Sequence, residues 1–87
     1  MEDMIVSIDE FINYLVRRRG STRTTEITYR STLYDFARRC PTKTVKDLTF
    51  DCIEKVIDEY SLQGYKPKTF KNKVVVIRRF IKYLNVS

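Results

Sequence analysis

Apolar residues in this chain recur at steps of three and four rather than two, and they do so in four separate stretches, the pattern of amphipathic helices packed on one another. The last stretch is the most regular. Phe70, Val74, Ile77, Ile81 and Leu84 alternate spacings of four and three. At about 100° per residue they draw one stripe along a helix, widened on one side by Val76, Phe80 and Tyr83. Lys68, Lys71, Asn72, Arg78, Arg79 and Lys82 gather on the opposite arc, interrupted by Val75. Pro67 suits a first helical turn, where its missing N–H has no intrahelical partner to lose. The pattern predicts a helix over 67–84.

The other three stretches read in the same way. Ser7 followed by Glu10 matches a capping box, and Ile8, Phe11, Ile12 and Leu15 follow at helical spacing, which predicts a first helix over about 8–18. Arg17, Arg18 and Arg19 then face the negative end of the helix dipole before Gly20, a C-cap glycine; solvation of that end and phosphate contact both fit this triplet. Ser21 or Thr22 can cap a second helix over about 23–39, with Tyr29, Leu33, Phe36, Ala37 and Cys40 as its apolar stripe and Pro41 as its stop. The other side of that helix carries Arg23, Ile27, Arg30, Tyr34 and Arg38. Basic residues interleaved with an aromatic suit a nucleic-acid surface, and Ile27 and Tyr34 suit packing against the first helix equally well.

Residues 41–48, PTKTVKDL, read as a short polar loop that ends at Thr49, an N-cap for a third helix over about 50–62. Ile53, Val56, Ile57 and Tyr60 form its buried face, and Asp51, Glu54, Asp58 and Glu59 make it acidic. Gln63 and Gly64 end it, and Gly64, Tyr65 and Lys66 form a tight link into the last helix. No strand pattern, internal repeat or low-complexity stretch interrupts this reading. The expected architecture is all-α, a compact four-helix bundle in one domain over 1–87, with residues 1–6 and the last few frayed.

Composition narrows the picture. A chain of 87 residues buries only about 60–65% of the surface its unfolded form exposes, so the core is modest. Neither an apolar run long enough to span a membrane nor a secretory leader is present, and the expected location is intracellular, cytoplasmic and nucleoid-associated. Cys40 and Cys52 lack metal-ligand spacing and the chain has no His, so both are expected as small, mostly buried thiols.

Net charge is +6, and its distribution matters more than its sum. Residues 61–87 hold seven basic residues and no acid, and residues 21–40 hold four basic against two acidic, while the remaining blocks are slightly acidic. The cations therefore concentrate on the second and fourth helices. No nucleophile and base pair up, because there is no His, no Ser in a strained glycine turn and no Cys beside a base. Two glycines exclude a phosphate-binding glycine loop. The chain reads as non-catalytic, with no cofactor and no metal.

Binding remains. Lys66, Lys68, Thr69, Lys71, Asn72 and Lys73 lie within eight residues, at a helix start whose free N–H groups and positive dipole end favour phosphate oxygens. Asn72 has the geometry for a bidentate base contact, with adenine its usual partner. A merely solvated lysine face is the bland alternative, and an acidic protein partner docked on the same face is the rival from another class.

Thr25, Tyr29, Leu33 and Phe36 in TEITYRSTLYDF resemble the second helix of the core-binding, SAM-like domain of tyrosine recombinases, or phage integrases. Leu48 and Thr49 before an acidic helix resemble that domain's third helix, and Pro67, Thr69, Val74, Ile77 and Phe80 its last; the likeness covers about residues 8–84. It implies a SAM-like bundle that is either the N-terminal part of a longer recombinase, whose separate catalytic domain closes a clamp around duplex DNA, or a stand-alone relative that has lost catalysis. Partners implied are the duplex, that catalytic domain and other recombinase protomers. Position by position, it points to Arg23, Thr24 and Arg30 on the second helix and to Lys66, Lys68, Thr69, Lys71 and Asn72 on the fourth. Lys73 and Arg79, taken from the charge map, complete the expected DNA-binding set. Lys66 departs from the family's Ser or Thr before the proline and cannot accept a capping hydrogen bond.

Overall fold

Asp3 sets the start of the first helix. Its carboxylate accepts the Ile5 N–H at 2.8 Å, and α1 runs Met4–Arg19, one turn earlier than the sequence pattern predicts. The capping box at Ser7 is therefore a correction, as is fraying at Met4–Val6. The reason is apolar: Met4 continues the Ile8, Phe11 and Ile12 face back by one turn and is itself buried. Ser7 lies buried inside the helix, and its hydroxyl has no hydrogen-bond partner among the described residues. The computed structural model describes residues 3–40, 42 and 44–86, so the predicted stop at Pro41 and the ends Met1, Glu2 and Ser87 lie outside the described residues.

The remaining helices follow their sequence signals closely. Gly20 closes α1 in the left-handed region (φ 62°), where a side chain would be strained. Thr22 accepts the Thr25 N–H and opens α2, Arg23–Arg39. Cys40 is then extended (ψ 137°), as suits the residue before a proline. Within the polar loop the structure adds a short 3₁₀ turn, Val45–Asp47, and Thr44 pairs with Asp3 in an isolated bridge. Thr49 accepts the Cys52 N–H and opens α3, Phe50–Ser61. A left-handed Gly64 (φ 74°) turns the chain into α4, Pro67–Val86. The Lys66 carbonyl accepts the Phe70 N–H at 3.0 Å, so Lys66 stands at the cap position and α4 starts as the proline predicts.

One core joins all four helices. Every residue of the expected α2 stripe is buried, together with Val56, Ile57 and Tyr60 of α3. On α4 the buried axis runs along Val76, Ile77 and Phe80, while Val74 and Ile81 are only half-buried, so the stripe is rotated from the one that spacing alone draws. Neighbouring rings explain the rotation. Phe11 of α1 meets Phe80 at 5.6 Å and Tyr83 at 5.1 Å between centroids, which pulls that side of α4 inward.

A polar cluster fixes α2 to α3 beside this core. The Asp35 carboxylate accepts from the Tyr60 hydroxyl at 2.5 Å, from Arg39 Nε at 2.8 Å and from Arg38. Arg39 also reaches Glu59 at 3.2 Å, and its guanidinium lies 4.9 Å from the Tyr60 ring centre. Burial alone would raise the Asp35 pKa, but the three donors outweigh it and hold the group at about 2, below its ordinary 3.8. Burial and the bond to Asp35 push the Tyr60 hydroxyl above its usual range.

Because the folded pKa of Asp35 is depressed, its contribution to stability is complete above the unfolded value and disappears as pH falls through the folded one. The contribution amounts to about 2 kcal/mol. Asp35→Asn is therefore expected to lower the melting temperature at pH 7 by about 10 °C, with the gap to the wild type closing towards pH 2. Thermal melts at the two pH values check this.

Candidate nucleic-acid interface

Two contacts set the direction of α2 against α4. Arg79 of α4 donates to the Tyr29 hydroxyl of α2 at 2.7 Å. Lys73, earlier in α4, lies 5.5 Å from the centre of the Tyr60 ring, whose hydroxyl is bonded to Asp35, later in α2. Early α2 thus meets late α4. At about 1.5 Å per residue, Arg23 lies about 9 Å along α2 from Tyr29, and Lys68 about 16 Å along α4 from Arg79.

The expected residues therefore fall into two groups at opposite ends of the α2–α4 pair, with Arg79 between. Lys66, Lys68, Thr69, Lys71 and Asn72 are all exposed at the start of α4, and Arg23 and Thr24 are exposed at the start of α2. Among the described residues no carboxylate pairs with Arg23, Lys66, Lys68, Lys71 or Arg79. At the first turn of α4 the free N–H groups of Lys68 and Thr69 add to these cations, since the Lys66 side chain offers them no acceptor. The arrangement can hold several phosphate oxygens and offers Asn72 as a hydrogen-bonding group.

Arg30 and Lys73 are placed otherwise. Arg30 pairs with Asp9 of α1 at 2.8 Å and with Glu26 at 3.4 Å, while the Tyr34 hydroxyl also donates to Asp9, at 2.6 Å. The hydrogen bond with Tyr34 and the adjacent carboxylates raise the Arg30 pKa, and the bond to Asp9 raises that of Tyr34. This is a clamp between α1 and α2, so the mixed face of α2 packs on the first helix through polar groups while Ile27 stays exposed. Lys73 is half-buried over two rings, 5.0 Å from the centre of Tyr65 and 5.5 Å from that of Tyr60. Arg78 approaches Glu54 of α3 at 3.8 Å.

The sequence reading did not foresee Tyr29 as the anchor of Arg79. Its spacing marks it as core, and only the α4 neighbour gives the hydroxyl at the rim a task. Cys40 is a buried free thiol, pushed up to about 12 by burial and by the adjacent Cys52, and Cys52 is half-buried. No group of His, Cys, Asp or Glu among the described residues is arranged to hold a metal ion. No described helix is long and apolar enough to cross a membrane.

Helix order, caps and core define an all-α, SAM-like bundle with a basic helix pair. The family model of the phage integrase N-terminal SAM-like domain matches residues 8–86, and the chain belongs to that family. The matched region is the family's N-terminal SAM-like domain, not its catalytic domain. No curated protein and no solved structure matches the chain.

Proposed function

We propose that this domain binds duplex DNA through the exposed cations of α2 and α4 and thereby positions a site-specific tyrosine recombinase on its target. The observation that carries the reading is the set of cations on the α2–α4 pair that meet no carboxylate among the described residues: Lys66, Lys68 and Lys71 at one end, Arg23 at the other and Arg79 between. Thr24, Thr69 and Asn72 supply hydrogen bonds beside the cations, and Asn72 is the residue for base readout. Arg30 and Lys73 support the surface from behind, one by tying α2 to α1 and the other by lying over the rings of Tyr60 in α3 and Tyr65 in the link that follows it.

Catalysis then belongs to a second domain of the same parent chain, which with this one encloses the duplex, and other recombinase protomers complete the assembly. The test is a fluorescence titration of the domain with a labelled duplex and with a polyglutamate peptide of equal charge. Saturable duplex binding, with the peptide at least tenfold weaker, is the expected result; preference for the peptide would make the basic pair a protein-docking face instead.

A further inference from the structure

A groove of about 790 Å³ opens between α1, the start of α2 and the last turns of α4. That size lies within the range of small-ligand sites. Its walls carry three tyrosines, Tyr14, Tyr29 and Tyr83, and three cations, Arg19, Arg79 and Lys82, and no carboxylate lines it. None of the three cations is ion-paired among the described residues. Tyr14 and Tyr83 stack at 5.4 Å between centroids, tilted by 42°. Tyr14 nevertheless remains 39% exposed, so part of its ring meets solvent at the groove.

Core packing accounts for Tyr29, which is buried, and for Tyr83, which is half-buried against Phe11, but not for the exposed part of the Tyr14 ring among three cations. In a duplex the faces of the bases are covered by their neighbours and only edges are offered, so Tyr14 and Tyr83 have nothing to stack on. An unpaired base offers its face. Aromatic rings and cations together are the means by which proteins hold single-stranded nucleic acid.

We infer that this groove seats an unpaired nucleotide next to the duplex surface, its base against Tyr14 and Tyr83 and its flanking phosphates on Arg19, Arg79 and Lys82. Continuity favours a nucleotide over an acidic peptide. Ser21 and Thr25 line the groove on either side of Arg23 and Thr24 in sequence, and Arg79 belongs both to the groove and to the proposed duplex face. The inference rests on the proposed function and extends it to the strand end, where a duplex frays or has been opened.

The test compares a blunt duplex with the same duplex carrying a three-nucleotide thymidine overhang. In the wild type the overhang is expected to tighten binding about tenfold, the scale of one stacked base, and Tyr14→Ala is expected to remove that gain while binding the blunt duplex as before. The chain contains no Trp, so Tyr14→Trp provides a single reporter whose fluorescence the overhang quenches and the blunt duplex does not. Blunt-duplex binding with no overhang gain, or a gain that survives in Tyr14→Ala, overturns the inference and leaves the duplex reading standing. Failure to bind either DNA removes both. Displacement of the overhang by a polyglutamate peptide, with blunt binding intact, assigns the groove to an acidic peptide instead.

Discussion

Lys68→Glu combined with Lys71→Glu is expected to reduce duplex binding by about a hundredfold or more, while the helical signal and the melting temperature stay nearly unchanged. Both side chains are exposed on α4, and neither pairs with a carboxylate among the described residues. Their loss therefore removes nothing from the fold. On the proposed function, the two changes replace two phosphate contacts by like-charge repulsion, which costs several kcal/mol, and about 1.4 kcal/mol is a tenfold change in affinity. Anisotropy with a labelled duplex measures the loss, and circular dichroism on the same samples measures the fold. If lysine substitution of Asp51 and Asp58 on α3 proved the more damaging to binding, the contact face would lie on the acidic helix instead.

Phe80→Ala has the opposite profile. Phe80 is fully buried, meets Phe11 at 5.6 Å and lies on the axis along which α4 enters the core. Truncation of such a ring costs about 3–5 kcal/mol, against a total stability of about 5–15 kcal/mol for a small domain. At about 4–8 °C per kcal/mol, the melting temperature is expected to fall by at least about 12 °C. A thermal melt followed at 222 nm, the usual helix wavelength, tests this. A shift of only a few degrees would mean that the rings of α1 and α4 do not share one core.

Sequence periodicity identified the arc on which each residue lies but not what a distant element would bring to it. The α2 stripe illustrates the first half: Tyr29, Leu33, Phe36, Ala37 and Cys40 are all buried, because each needs only the helix itself to share a face. Caps were legible for a similar reason, since Thr22 and Thr49 bond the backbone three residues on. Ser7 shows the limit. Its capping pattern is genuine, but burial of Met4 favours a helix that begins at Asp3, and the competing signal lies in tertiary packing.

Arg30 and Lys73 show the same limit at the candidate site. Arg30 lies on the mixed arc of α2, and Lys73 lies at helical spacing from Ile77 and Phe80 on the apolar side of α4; each meets partners brought by another element: Asp9 of α1 for Arg30, and Tyr60 and Tyr65 for Lys73. Charge counting cannot see such pairings. Lys66, Lys68, Lys71 and Arg23 stay exposed because they occur at helix starts, where little else packs. The groove at Tyr14 and Tyr83 was hidden for the same reason, since it forms only where α1, α2 and α4 converge.

The proposed function rests on phosphate contact by cations that meet no carboxylate among the described residues, and the salt dependence of duplex binding tests that most directly. With Arg23, Lys66, Lys68, Lys71 and Arg79 each neutralising a phosphate, log K against log salt concentration is expected to fall with a slope of about −4.5. A slope near zero would contradict the account.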